Sequence, residues 1–325
     1  MVILPQAGAR YQAVFDPYYT PKAMGENLLT LHRVTHQFLD RYLPTKWTDE
    51  STPGKKLGGI AYRLGKLVTL DFLLDYFLVV GHHEVFGHGF RFRQAGFSGN
   101  AYNVVPPPPL GPWGGFAQAG TLPNPWRLGI HDRITIQMGG SEGTQQIAHG
   151  LRNKWMSSGQ IRATDALLYL MAFHDMTAYI LSTRDNTSGG DPANYIRFLN
   201  IHHNHFDLDS LPLGIPHLRR YTLLNFANTF SLLSLYHLIH PYLARGNATL
   251  DLPGLSIGKW EYLPAVRMGY SPFGIEFYGE HFLRSYDHWM SLYHRIGDGK
   301  LNGRWWGFGW HGEGKFFNER AILGA

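Results

Sequence analysis

Cysteine is absent from the 325-residue chain, which removes disulfides, thiolate ligands and a cysteine nucleophile from consideration. Charge is scarce too. Asp, Glu, Lys and Arg make up 16% of the residues and the net charge is +5, with no Lys/Arg block, so nucleic-acid binding has no electrostatic footprint. The opening residues Met1-Val2-Ile3-Leu4-Pro5 lack the charged and apolar segments of a secretory signal. No internal repeat is found. Tyr221 to Ala244 carries no Asp, Glu, Lys or Arg and is long enough to span a bilayer. Asn225, Asn228, His237, His240 and Pro241 interrupt it, and a buried core helix is the expected outcome.

Apolar residues are plentiful, at 44%, and aromatics reach 14%, with 18 Tyr and 9 Trp. This describes a globular chain of one large domain or two. Rings with a polar tip suit carbohydrate or lipid-interface surroundings. They favour the cell envelope, periplasm or outer membrane, over the cytoplasm, and membrane association is part of that expectation.

The densest chemistry lies in Gly81-His82-His83-Glu84-Val85-Phe86-Gly87-His88-Gly89. Zinc sites use neutral imidazole nitrogens and carboxylates, with one position open for water when they are catalytic. The usual helical form, His-Glu-x-x-His, places two histidines four apart on one face. In this chain the gap is five. Residues five apart sit about 140° apart around a straight α-helix and cannot aim at one ion. A one-residue bulge repairs the phase, and Gly87 marks where the helix has to swell.

This pattern resembles the His-Glu-x-x-Gly-His signature of the dipeptidyl-peptidase III family of zinc peptidases. The resemblance implies His83 and His88 as zinc ligands and Glu84 as general base. It also implies a downstream glutamate as third ligand, for which Glu142 in Gly139-Gly140-Ser141-Glu142-Gly143 is the candidate. His149, seven positions later and on nearly the same helical face, is the substitute. His82 is read as a packing or orienting residue.

Elsewhere, a helix is expected from about Lys22 to Leu43 on the periodicity of Leu28, Leu31, Val34, Phe38 and Tyr42, stopped by Pro44. Its His32 and His36, four apart, have no carboxylate motif beside them. Asp49 to Lys56 reads as a polar turn. A second helix from about Gly58 carries Asp71, Asp75 and His82 along one line, and the acids are expected to pair with an arginine from a neighbouring helix. Arg133 to Met138 alternates like a strand, and a helix from Glu142 to about Trp155 follows. A further helix, about Thr164 to Leu181, holds His174-Asp175, whose histidine is a catalytic candidate. Thr183 to Ala193 reads as a polar loop. Beyond residue 250, strands are expected at Trp260–Tyr270, Gly274–Leu283, His288–Ile296 and Arg304–Phe316, with turns at Ser271-Pro272-Phe273-Gly274, Gly297-Asp298-Gly299 and Asn302-Gly303.

The expected fold is therefore α+β, with a mostly helical metal-binding core over 1–250 and an antiparallel β-meander over 251–325. The meander is expected to pack on that core or to serve a membrane or oligomer interface. The expected function is zinc-dependent hydrolysis, most plausibly of a peptide or another small amphiphilic substrate. The alternative is an envelope or membrane-associated structural protein with a structural metal site or none.

Overall fold

A computed structural model describes residues 13–44, 52–107, 109, 111, 114–122, 128–207, 210–285, 288–301, 303–316 and 319–324. The chain is α+β, a helical assembly followed by an antiparallel sheet. The first helix, α1, spans Pro21–Tyr42. Pro21 sits in its first turn and the Thr20 hydroxyl accepts from the Ala23 N–H at 3.4 Å, an N-cap of the ordinary kind. Its periodicity is as expected, but Leu31, Val34, Phe38 and Tyr42 face outward. The buried face carries Leu28, Leu29, His32 and His36.

Pro53 to Gln94 is one unbroken helical run that changes pitch twice. α2 (Pro53–Lys66) passes through a π turn at Leu67–Asp71 into α3 (Phe72–Gly81). α3 passes through a second π turn at His82–His88 into α4 (Gly89–Gln94). Helix replaces the turn expected up to Lys56, because Thr52 caps the run and Pro53 opens it; residues 49–51 lie outside the described set. A short hairpin follows, β1 (Ala101–Val104) on β2 (Gly115–Gln118).

α5, Ile130–Ser158, runs through the middle of the molecule against α1, the histidine π turn and the two helices that follow. It includes Arg133 to Met138, expected as a strand. The apolar positions there alternate by coincidence, whereas Asp132 Oδ2 accepts from the Gly129 N–H at 2.9 Å and starts a helix upstream. β3 (Gln160–Arg162) leads to α6 (Ala163–Ser182) and α7 (Asp191–His202). The uncharged stretch expected as one helix, Tyr221 to Ala244, divides into the last two residues of α8 (Ile215–Thr222), a 3-10 turn at Leu223–Ala227, α9 (Thr229–His237) and a π turn at Leu238–Ala244. Asn228 forces the break by capping α9, its side chain accepting from the Ser231 N–H at 3.1 Å. One side of this stretch buries Phe230, Leu238 and Tyr242, while Leu232, Leu235, Tyr236 and Ile239 are exposed. No described helix is long and apolar enough to cross a membrane.

β4 (Thr249–Asp251) pairs with β3. The six-stranded sheet then runs in sequence order through β5 (Leu255–Ile257), β6 (Trp260–Ser271), β7 (Gly274–Arg284), β8 (His288–Gly297), β9 (Trp306–Phe316) and β10 (Glu319–Gly324). The four expected strands are present, and β5 and β10 flank them. Ser271 pairs with Gly274 across the two-residue turn at Pro272-Phe273. The Asn302-Gly303 turn falls partly on residue 302, outside the described residues.

The sheet packs on the helices. Leu263, Ala265, Phe282 and Trp289 share a core with Trp155, Tyr169, Phe173 and Phe230. A charged clamp crosses the same boundary: Glu280 on β7 accepts from Arg152 Nη1 of α5 at 2.5 Å and from Arg267 Nε of β6 at 3.0 Å. Burial alone raises the Glu280 pKa, but the two guanidiniums overcome it and hold the value at about 2, below the ordinary 4.5. A depressed carboxylate pKa contributes stability above pH 4.5 that is lost as pH falls through about 2. Glu280→Gln is expected to lower stability by about 3–5 kcal/mol, because it strands buried arginine charge. It should also flatten the pH dependence of stability between the two values, read by urea unfolding from neutral pH downward.

Candidate metal centre

The π turn does to the motif what its spacing requires. Over His82–His88 the widened turn brings His83 and His88 onto one side, with ring centroids 4.9 Å apart and Nε2 atoms 3.2 Å apart. The turn can lie this deep because it meets the glycine face of α5. A Cβ on Gly87 would come within 2.5 Å of the Gly139 carbonyl oxygen, and one on Gly140 within 2.1 Å of His83 Nε2.

Each imidazole is fixed through its other nitrogen. His83 Nδ1–H donates to Asp175 Oδ2 on α6 at 2.8 Å, and His88 Nδ1–H donates to the Ile136 carbonyl of α5 at 2.8 Å. Asp175 is itself held by the Thr144 hydroxyl at 3.0 Å. A carbonyl and a carboxylate can only accept, so Nδ1 of each ring carries its proton there and Nε2 is turned inward, a lone pair when the ring is neutral. Asp191, the first residue of α7, brings Oδ2 to 2.9 Å from His88 Nε2 and 3.5 Å from His83 Nε2. Tyr179 helps to place it, its hydroxyl accepting from the Asp191 N–H at 3.2 Å. The preceding Gly190 has φ +98° and touches the same tyrosine, leaving no room for a side chain.

Three acceptor atoms therefore converge with separations of 2.9, 3.2 and 3.5 Å. Tetrahedral zinc with bonds of about 2.0–2.1 Å places its donors about 3.3 Å apart. The donor set fits a divalent metal, and the acid and carbonyl behind the imidazoles are the partners such ligands ordinarily have. Burial lowers the His83 pKa, but Asp175 and Asp191 outweigh it and raise the value well above 6.5. At His88 burial is likewise overcome, chiefly by Asp191. Burial raises Asp191 while both histidines draw it well below the carboxylate range. Glu84, buried on the same turn, is shifted upward by burial against the opposing pull of His83 and His88. The imidazoles are 7% exposed and the Asp191 and Asp175 side chains 19% and 21%, so approach is from the carboxylate side.

Not every residue expected at the site reaches it. Glu142 pairs with Arg91 of α4, accepting from Nε at 2.9 Å. It lies about 200° around α5 from Gly140, and the face that meets the histidines has room only for small residues. His149 sits on the far part of α5 beside His311, with burial lowering its pKa to about 3. His174 donates to or accepts from the Ser231 hydroxyl at 3.0 Å and stacks on Phe226. Asp175, its neighbour in sequence, turns the other way and serves His83 instead. Asp175 and Asp191 were both missed as site residues. The readable signal for Asp191 was Gly190-Asp191-Pro192, an acid at the opening of a helix.

Compared with protein-family models, curated proteins and solved structures, the chain matches none of them. The case for the site rests on its own geometry.

Two substitutions separate the acids. Asp191→Ala is expected to lower metal affinity at least tenfold, and Glu142→Ala to leave it within about twofold, both by competition against a chromophoric chelator. Gly140→Ala removes no ligand, yet its methyl would come within 2.1 Å of His83 Nε2; it should abolish metal uptake at this centre in a folded protein, with circular dichroism confirming the fold.

Proposed function

We propose that the chain is a zinc-dependent hydrolase acting on peptide or related acyl bonds, with His83, His88 and Asp191 as ligands. The observation that carries this is the inward convergence of two imidazole lone pairs and a carboxylate, with the ring protons held outward by Asp175 and the Ile136 carbonyl. Zinc in that position would supply a Lewis acid for the scissile carbonyl and a lowered pKa for bound water. Glu84, the acid next to His83 on the same turn, would take a proton from that water and return it to the leaving group. Its burial supports this role, because an upward-shifted carboxyl is a better match for proton transfer near neutral pH. Tyr179, whose ring centroid is 6.3 Å from that of His83, has its pKa pushed up to about 12 by burial. Its hydroxyl stays protonated and can donate to a developing oxyanion.

The His-Glu-x-x-Gly-His resemblance supports the roles of His83, Glu84 and His88, while Asp191 departs from the family's downstream glutamate. Outward apolar side chains along α1 and α9 support an amphiphilic substrate or a lipid-facing setting. Two imidazoles and one carboxylate also suit non-haem iron, so the resident metal is a decisive measurement. Iron in protein purified without added metal would overturn the hydrolytic reading.

Glu84→Gln tests the mechanism. The variant should keep its metal and its fold while hydrolysis of a peptide and ester panel falls roughly 10²–10⁴-fold. Near-parental turnover with full metal would remove Glu84 as the base.

A further inference from the structure

A second cluster of histidine and aspartate lies deep between α1, α3 and α6, and the function proposed above does not use it. His32 and His36 sit four apart on α1 with ring centroids 4.3 Å apart. Asp75 of α3 brings Oδ1 to 3.0 Å from His32 Nε2, and one ligand atom from each of the three lies within 4.8 Å of the others. All three are buried, at 1%, 1% and 0% exposure. Two further acids stand on the Nδ1 sides of these rings, beyond hydrogen-bond distance: Asp165 Oδ1 is 3.6 Å from His32 Nδ1, and Asp71 Oδ1 is 3.6 Å from His36 Nδ1. Lys66 Nζ engages Asp71 at 3.0 and 3.2 Å, so that acid is neutralised from its other side.

The polar atoms at the centre of this cluster are not satisfied. Both ring nitrogens of His36 and the second carboxylate oxygen of Asp75 have no hydrogen-bond partner, and the 3.0 Å approach of His32 Nε2 to Asp75 Oδ1 is the one close contact among the three residues. An unmade hydrogen bond at a buried group costs roughly 1–3 kcal/mol, and orphaned donors and acceptors rarely gather in one place without something to join them. A proton shared between His32 and Asp75 accounts for one contact and leaves His36 untouched. A cation coordinated by one nitrogen of each imidazole and by the carboxylate takes one ligand atom from each residue and gives His36 the partner it lacks.

We infer that His32, His36 and Asp75 form a second metal site, closed and structural, that takes a divalent transition ion of the zinc class. Burial on every side gives no route for substrate, which is what sets a structural site apart from an open, catalytic one. The ion would tie α1 to α3, joining segments that only tertiary packing otherwise connects. This inference stands on different residues from the proposed hydrolytic centre and does not depend on it.

The test uses the full chain, stripped of metal by a chelator and reloaded with Co²⁺ or Zn²⁺, then desalted and assayed for metal content. The intact chain should retain two equivalents and His83→Ala/His88→Ala one. The Co²⁺ form of that double variant should show visible absorption from nitrogen and oxygen ligands. Adding His36→Gln to it should abolish both the equivalent and the bands. His83→Ala/His88→Ala protein that binds no metal overturns the inference. A single equivalent in the intact chain that survives His83→Ala/His88→Ala and is lost with His36→Gln upholds this site and sinks the hydrolytic centre. Should His36→Gln fail to fold, the melting temperature of the His83→Ala/His88→Ala variant decides. A rise of several degrees with Zn²⁺ supports the site, and an unchanged value overturns it.

Discussion

Backbone meets backbone where Gly87 of the widened turn lies against Gly139 and Gly140 of α5, and the candidate centre depends on that contact. Helices with ordinary side chains at their interface pack roughly 8–10 Å apart. The glycines remove that spacing and let the histidine turn sink into the middle of the helical layer. His88 can then reach the carbonyl of Ile136, and His83 can reach across to Asp175 on α6. The same depth brings both rings under the first residue of α7. Four parts of the chain, distant in sequence, thus meet around one point.

Charge in this chain is sparse but deeply placed. Glu280 sits between Arg152 and Arg267 at the junction of helices and sheet. Lys66 joins Asp71 inside the helical layer, and His32 joins Asp75. Such groups are poor sources of net stability compared with apolar side chains of the same volume. They are strongly directional, however, and the Glu280 clamp and the His32–Asp75 pair each join elements that apolar contact alone would let slide. An acid stands on the Nδ1 side of a histidine at both clusters, at hydrogen-bond distance for His83 and farther off at His32 and His36.

The sequence made the secondary structure beyond residue 250 legible, because alternation and turn chemistry are local. Pro272-Phe273 fixes a hairpin wherever the strands lie, and the aromatic alternation of Trp306, Phe308 and Trp310 marks β9. The π turn was legible as well, since His83 and His88, five positions apart, cannot serve one site on a regular helix. Other features needed the fold. The outward face of α1 is as apolar as its inward one, so periodicity identified a helix without telling which side is buried. Arg133 to Met138 alternates like a strand within a helix whose start is set upstream at Gly129. Glu142 has the right residue type and a plausible position, but the close approach that its glycine neighbours permit turns it toward Arg91. Asp191 carries no spacing relation to His83 that sequence alone could supply.

The two π turns also make the length of the run from Pro53 to Gln94 part of its meaning. Each widened turn holds one residue more than an α-helix would, so the run behaves like a screw whose thread has been advanced twice. Excising a residue from the widened turn itself would restore even pitch and leave α4 near its present phase, whereas excising one from the evenly pitched α3 would rotate everything beyond by about 100°. Phe92 would then leave the core, Arg91 would swing away from Glu142, and the imidazole of His88 would face a different neighbour. Substitutions along this segment act one side chain at a time, whereas a one-codon deletion in α3 would rephase the whole of α4 at once. The reading frame of the helix, and not only its residue types, is what such a segment has to preserve.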